Sequence, residues 1–400
     1  MTQALHSPNV PVIDIDPFSD DYVLNPYPFH RQLREAGPVA WMSSIGTWVV
    51  SRFAQVRQVL EDPETYCSGA GVGLANFKKE KPWRPPSLLL ETDPPQHTRN
   101  RAIISRALSP AALRSLREKF EVEANRLVDE LVSRGSFDAV RELAEAFPLK
   151  VFGDAVGIVP DGRERLLLYA DMVFNAMGPQ NERVARAMSR VQPVAEWVWE
   201  SCQRKALDPA GLGMKIFEAA DAGTVNEHEA AMIVRSFLSA GIDTTANAIG
   251  NAIYCFANNP QQWELLRNDP NLARPAFEEV MRFESPFQAL FRTTTRKTQI
   301  GDVELDADQK VLLSLGAANR DPQQFPDPDR FDITRPNPGH VGFGAGIHGC
   351  VGQMMARMEA ELVIKALAAR VKSFEITDGA IRRPHNILRG FETLPVRVHT

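Results

Sequence analysis

Ten residues, Phe343-Gly344-Ala345-Gly346-Ile347-His348-Gly349-Cys350-Val351-Gly352, constrain this chain more than any other stretch. They follow the turn-rich Arg335-Pro336-Asn337-Pro338-Gly339 and precede residues 353–362, whose apolar spacing predicts a helix. One cysteine therefore sits in a glycine-punctuated loop just before a helix N-terminus. Glycines let such a loop take positive φ and bring its backbone close to a flat ligand. Free N–H groups and the positive dipole end of the helix would stabilise a thiolate at Cys350. A lone cysteine is more often a small buried residue than a ligand, so the reading depends on what else the chain carries.

Length alone favours two or three domains in 400 residues. A composition 44% hydrophobic and 24% charged, with a formal net charge of −5, is that of a globular protein without the basic field nucleic acid would require. Cys67, Cys202, Cys255 and Cys350 are scattered with no CxxC spacing, so neither a zinc site nor a disulfide framework is indicated. Met1-Thr2-Gln3-Ala4-Leu5-His6-Ser7-Pro8 has no apolar run of signal-peptide or anchor length. A cytoplasmic protein with no membrane attachment is expected.

Residues 28–36 read as a short amphipathic helix, and the two β-rich runs flanking Gly46 as a hairpin. Residues 53–60 look helical, and 68–74 with 78–86 form a glycine- and proline-rich loop containing Trp83, Arg84 and Ser87. Asp93-Pro94-Pro95 opens a helix that carries His97 and Arg101 on one face, a pair of donors suited to an anion. Arg99 and Arg106 lie on the same helix, so a solvated basic face is the competing reading. Residues 110–215 are mainly helical, with breaks expected at Gly135, Pro148, Pro160 and Pro179. Residues 227–257 read as one long apolar helix with a weak middle. Ala240-Gly241 lowers its helix propensity by about 1 kcal/mol, and Asp243-Thr244-Thr245 brings polar groups into an apolar span. Thr244 is expected to bond the Ala240 carbonyl and loosen the turn. Later, Glu279 and Arg282 form an i, i+3 pair, Arg292 lies in a strand-like segment, and 303–311 with 396–398 read as short strands.

The decapeptide resembles the cysteine-ligand loop of the cytochrome P-450 haem-thiolate monooxygenases, Phe-Gly-x-Gly-x-His-x-Cys-x-Gly, and matches it at every specified position. Ala240-Gly241-Ile242-Asp243-Thr244-Thr245 is similar to that family's oxygen-activating motif, Ala-Gly-x-Asp/Glu-Thr-Thr. His97 and Arg101, Glu279 and Arg282, Arg292, and Arg330 in Pro328-Asp329-Arg330-Phe331 follow in the family's order. The resemblance implies a single mainly α domain over residues 1–400, the helical haem-thiolate fold with small β-sheets. It implies haem b bound through Cys350, with His97, Arg101, Arg292 and His348 on the cofactor. Asp243 and Thr244 would relay protons for O–O cleavage. Arg330 would join Glu279 and Arg282 in a buried trio anchoring the cysteine loop. With no flavin or nicotinamide domain, electrons would come from an iron–sulfur ferredoxin and its reductase, and a monomer is expected.

The stretches Phe77-Lys78-Lys79-Glu80-Lys81-Pro82-Trp83-Arg84-Pro85-Pro86-Ser87 and Val234-Arg235-Ser236-Phe237-Leu238-Ser239-Ala240-Gly241 resemble the bacterial subfamily that oxidises para-substituted benzoic acids. There, residues matching Arg84, Ser87, Arg235 and Ser236 hold the substrate carboxylate. Ser236, Ala240 and Thr244 share a helix face, so an acid anchored near Ser236 would run toward Thr244. The alternative is that both arginines face solvent. Leu90, Phe174, Met177, Ala240, Phe287 and Leu290 are expected to line the ring pocket. Met177 stands where a phenylalanine is common, and Phe287 and Leu290 where valine and phenylalanine are, so the accepted para substituent could differ. A terpenoid monooxygenase, a peroxide-driven enzyme of the same fold and a non-catalytic haem sensor are the other readings; the acid–alcohol pair argues for oxygen activation.

Overall fold

The computed structural model describes residues 10–82, 84–336 and 339–400. The start of the chain, Trp83 and the Asn337-Pro338 part of the turn before the cysteine loop lie outside the described residues.

Helices dominate because the apolar spacing is helical over most of the chain, and local chemistry sets their ends. The long helix Pro110–Arg134 begins with Pro in its first turn after Ser109, whose side chain accepts from the Ala112 N–H. It stops at Gly135, which takes φ of 72°. Asn226 and Glu229 form a reciprocal capping box that starts Glu227–Gly241. The Gln353–Ala368 helix packs along Pro110–Arg134.

A six-stranded sheet stands at the other side, in the order Val12–Ile13, Ala40–Met42, Thr47–Val50, Lys310–Ser314, Ala289–Thr294, Tyr66–Cys67. Lys310–Ser314 pairs parallel with the hairpin strand, Trp48 against Val311, and antiparallel with the next, Arg292 against Val311. Two apolar cores result, a large one among the helices and a smaller one around this sheet.

Four expectations need correction. The long helix over 227–257 is two helices, Glu227–Gly241 and Asp243–Asn258, parted at Ile242. Gly241, the last residue before the break, lets the helix pack against the Phe152 ring, which a Cβ there would approach to 2.3 Å. Pro148 breaks nothing; it sits in the first turn of Ala146–Val156, where its missing N–H costs no bond. Ahead of it a strand, Ser136–Asp138, and a π-helix, Ala139–Glu145, interrupt the helical run. Residues 303–311 hold two strands, Val303–Leu305 and the start of Lys310–Ser314, parted by a turn in which Asp308 takes positive φ.

The buried trio also differs. Arg282 grips both oxygens of Glu279 at 2.7 Å, as expected. The third member is Arg335, whose Nε lies 3.3 Å from Glu279 and whose side chain is 11% exposed. Arg330 is 64% exposed beside Asp332 and contributes only its carbonyl, which accepts from Arg282 and Arg335.

Candidate active site

One cavity of about 250 Å³ lies where the two cores meet, lined by members of both. Cys350 opens onto it. The Cys350 N–H donates to the Phe343 carbonyl at 2.8 Å and closes the loop. Gly346 takes φ of 64° with its backbone against Leu60, where a Cβ would come within 2.3 Å of the Leu60 carbonyl. Burial pushes the Cys350 thiol up; the N–H groups of Gly352 and Gln353, with Arg101 and Arg357, act in the opposite direction. The helix-start donors expected to hold a thiolate are therefore in place.

Beside the loop stands a group of cationic and imidazole side chains with no carboxylate at ion-pair distance among the described residues. His97 is buried, with neither ring nitrogen partnered, and its ring is 4.1 Å from that of His348, whose Nε2 is also unpartnered. Burial, reinforced by Arg292, His97 and Arg101, drives His348 down to about 3. Burial likewise lowers His97, and it lowers Arg292 to about 10. Arg292 donates to the Phe291 carbonyl, and among the described residues neither it nor Arg101 has a carboxylate at ion-pair distance. Buried donors left this way are costly unless an anion completes them. A flat cofactor carrying two carboxylates, with an axial position for sulfur, fits this set, and haem b has both. The solvated-face reading of this helix applies to other residues: Arg99 leaves the cluster to pair with Glu229 at 2.7 Å. Arg296 lies outside the strand and bonds Thr65.

Asp243 and Thr244, neighbours in the first turn after the helix break, point in different directions. Thr244 lines the cavity and donates to the Ala240 carbonyl at 2.8 Å, as expected. Asp243 is buried but does not line the cavity; its carboxylate is held by Arg383 at 2.9 Å and by Asn247 at 3.0 Å. Arg383, 140 positions away, carried no sequence signal.

Ser87, Leu90, Phe174, Met177, Ser236, Ala240, Phe287 and Leu290 all line the cavity, as do Arg84 and Arg235. Neither arginine is turned to solvent. Ser87 and Ser236 join hydroxyls at 2.9 Å; Ser236 donates to the Met232 carbonyl, so Ser87 supplies the proton between them. Arg235 is buried, donates to the Pro85 carbonyl at 3.0 Å and has no ion-pair partner among the described residues. Arg84 is different: it already pairs with Glu91 at 2.9 Å. Phe174 and Phe287 meet edge-to-face at 5.8 Å and form one wall. Sequence reasoning missed Glu91, Tyr169 and Glu359. Tyr169 and Glu359 line the cavity, and Glu359 has both oxygens unpartnered, so burial pushes its carboxyl well up.

The model of the cytochrome P450 family matches residues 268–393, the stretch from Glu279 through the cysteine loop. Cytochrome p450 CYP199A2 of Rhodopseudomonas palustris is 52% identical over 398 residues, covering 99% of this chain and 97% of that one. Cytochrome P450 107B1 of Saccharopolyspora erythraea is 33% identical, covering 96% and 98%. Among solved structures, cytochrome P450 CREJ in complex with (4-ethylphenyl) dihydrogen phosphate superposes with a TM-score of 0.86 at 26% identity, over 96% of this chain and 99% of that one. Among the described residues no helix is long and apolar enough to cross a membrane. With the cysteine loop, the orphaned donors and relatives matching nearly end to end, the chain belongs to the cytochrome P450 family of haem b monooxygenases.

Proposed function

We propose that this monooxygenase inserts one oxygen atom of O2 into the para substituent of a small aromatic carboxylic acid, a benzoate or a cinnamate. A methyl or alkyl group would be hydroxylated; a methoxy group hydroxylated at carbon would collapse to a phenol and formaldehyde. The second oxygen atom leaves as water, taking two protons and two electrons. An iron–sulfur ferredoxin and its reductase supply the electrons to a monomeric cytoplasmic enzyme whose residues 1–400 act as one domain.

The observation that carries this reading is Arg235. A buried guanidinium without a carboxylate partner among the described residues sits beside the Ser87–Ser236 hydroxyl pair on the wall of the catalytic cavity. An unpaired buried cation favours an anionic ligand strongly. Ser236 and Thr244 line the same cavity from either side of the break at Ile242. A ring whose acid end meets Arg235 and the serines would turn its para end toward Thr244. Leu90, Ala240, Leu290, Met177 and the Phe174–Phe287 wall enclose the ring.

Haem b, when bound, supplies the oxygen chemistry. The chain supplies the rest. Cys350 would hold the haem iron through its sulfur, steadied by the Gly352 and Gln353 N–H groups. His97, Arg101, Arg292 and His348 would hold the two propionates, which would partner the free ring nitrogens of His97 and His348. Thr244 holds a hydroxyl at the cavity wall, and the Asp243 carboxyl behind it would take protons from water and return them to Thr244 as that hydroxyl gives its own up.

Optical titration of the ferric holoenzyme with 4-methoxybenzoate and with its methyl ester tests this. A high-spin Soret shift with the acid and none with the ester is expected. A shift with neither, or an equal shift with both, would overturn the carboxylate anchor.

A further inference from the structure

The acid-binding end contains two guanidinium groups, which taken alone would suit a dianion. Glu91 changes that count. It is buried, its side chain 3% exposed, and it accepts from Arg84 Nη1 at 2.9 Å and Nη2 at 3.3 Å. The same carboxylate accepts the Ser87 N–H at 2.7 Å and so also sets the Ser87 hydroxyl that meets Ser236. Nearby groups are uncharged near neutrality: burial raises the Tyr169 phenol, and it pushes the Cys202 thiol up to about 12. Two guanidiniums and one carboxylate leave a single positive charge, on Arg235, for the ligand.

We propose that Glu91 is a specificity-determining residue, which neutralises Arg84 so that the cavity selects monoanionic aryl acids and rejects dianions of the same shape. The inference rests on the reading of this end as the substrate's acid site. A benzoate balances Arg235. A dianion would bring one charge more than the site can pair, in a place where unpaired charge is not solvated. Without Glu91, both arginines would face the ligand.

The test uses the haem-loaded wild type with E91Q, R84Q and the R84Q/E91Q double variant. Each is titrated optically at pH 8 with 4-methoxybenzoate and 4-methoxyphenyl phosphate, a dianion at that pH. Wild type should prefer the benzoate by at least about tenfold, and E91Q should reduce that preference by about tenfold or more, the size one uncompensated charge gives at close range. R84Q leaves Arg235 opposed by Glu91 and should weaken both ligands. The double variant restores the single positive charge and should recover benzoate binding to within about threefold of wild type, which mere loss of an Arg84 contact would not allow. If E91Q fails to take up haem, the wild-type preference and the double-against-R84Q comparison decide. Equal wild-type affinity for the two anions, an unchanged preference in E91Q, or a double variant as weak as R84Q would each overturn the inference while leaving the acid reading standing. A wild type that answers to no acid overturns both.

Discussion

Arg383 Nη2 lies 2.9 and 3.0 Å from the two carboxylate oxygens of Asp243, while the adjacent Thr244 turns its hydroxyl to the Ala240 carbonyl on the cavity wall. Both residues lie in the first turn of the helix that starts after Ile242, and as neighbours about 100° apart on that helix they point in different directions. The acid is paired and off the cavity; the alcohol is on it.

Asp243→Asn keeps the shape and can still bond Asn247, but it cannot carry a proton. Product formation with saturating ferredoxin and reductase should fall by about 100-fold. The Soret shift on acid binding should stay within twofold of wild type. Turnover within threefold of wild type would remove Asp243 from the relay.

Ser236→Ala removes one of the two hydroxyls beside Arg235. The dissociation constant for 4-methoxybenzoate should rise about tenfold, the scale of a hydrogen bond to a charged group. Binding of a neutral arene of the same size should not change. Equal losses for acid and neutral ligand would mean the serine only shapes the pocket.

Arg335 and Arg330 should behave differently on truncation. Arg335→Ala leaves buried Glu279 one guanidinium short and frees the segment leading to the cysteine loop, costing about 3 kcal/mol. Arg330→Ala, at an exposed pair, should cost about 0.5 kcal/mol or less. Thermal unfolding and the haem content of the purified variants measure both. The reverse order would restore Arg330 to the trio.

Glu278 gives a pH dependence with a definite sign. Its carboxyl is held down to about 2 against an ordinary 4.5; burial raises it, but His340 and Arg357, at 3.0 and 2.9 Å, more than offset that. A folded-state value below the unfolded one means stability that is complete above pH 4.5 and lost as pH falls toward 2. Between pH 5.5 and 3.5 this group should contribute a loss of about 1 kcal/mol in denaturant unfolding. Glu278→Gln should lower stability at pH 5.5 and flatten that slope by the same amount; an unchanged slope would count against the pairing.

Much of this arrangement could be read ahead of the structure. The cysteine loop, the helix after it and the Thr244–Ala240 bond depend on neighbours within a few residues, where glycine freedom, dipole ends and i, i+4 geometry decide the outcome. Ser236, Ala240 and Thr244 were placed on one face by helical spacing, and all three line the cavity despite the break. The break itself was hidden, since a weak middle can be carried by packing; here the Phe152 ring occupies the space a side chain at Gly241 would need. Pro148 misled for the opposite reason: a proline signals a break only when it is not in a first turn.

By itself, then, the sequence determined the kind of site: a sulfur ahead of a helix, an acid and an alcohol side by side, and arginines and serines at spacings that suit an anion. Only the tertiary structure decided who pairs with whom. Arg383 reaches Asp243 across 140 positions, Arg335 rather than Arg330 takes Glu279, and Glu91 occupies Arg84. Charges pair through space, and burial sets which of them must; a chain with 45 basic and 50 acidic residues offers far more partners by composition than packing admits.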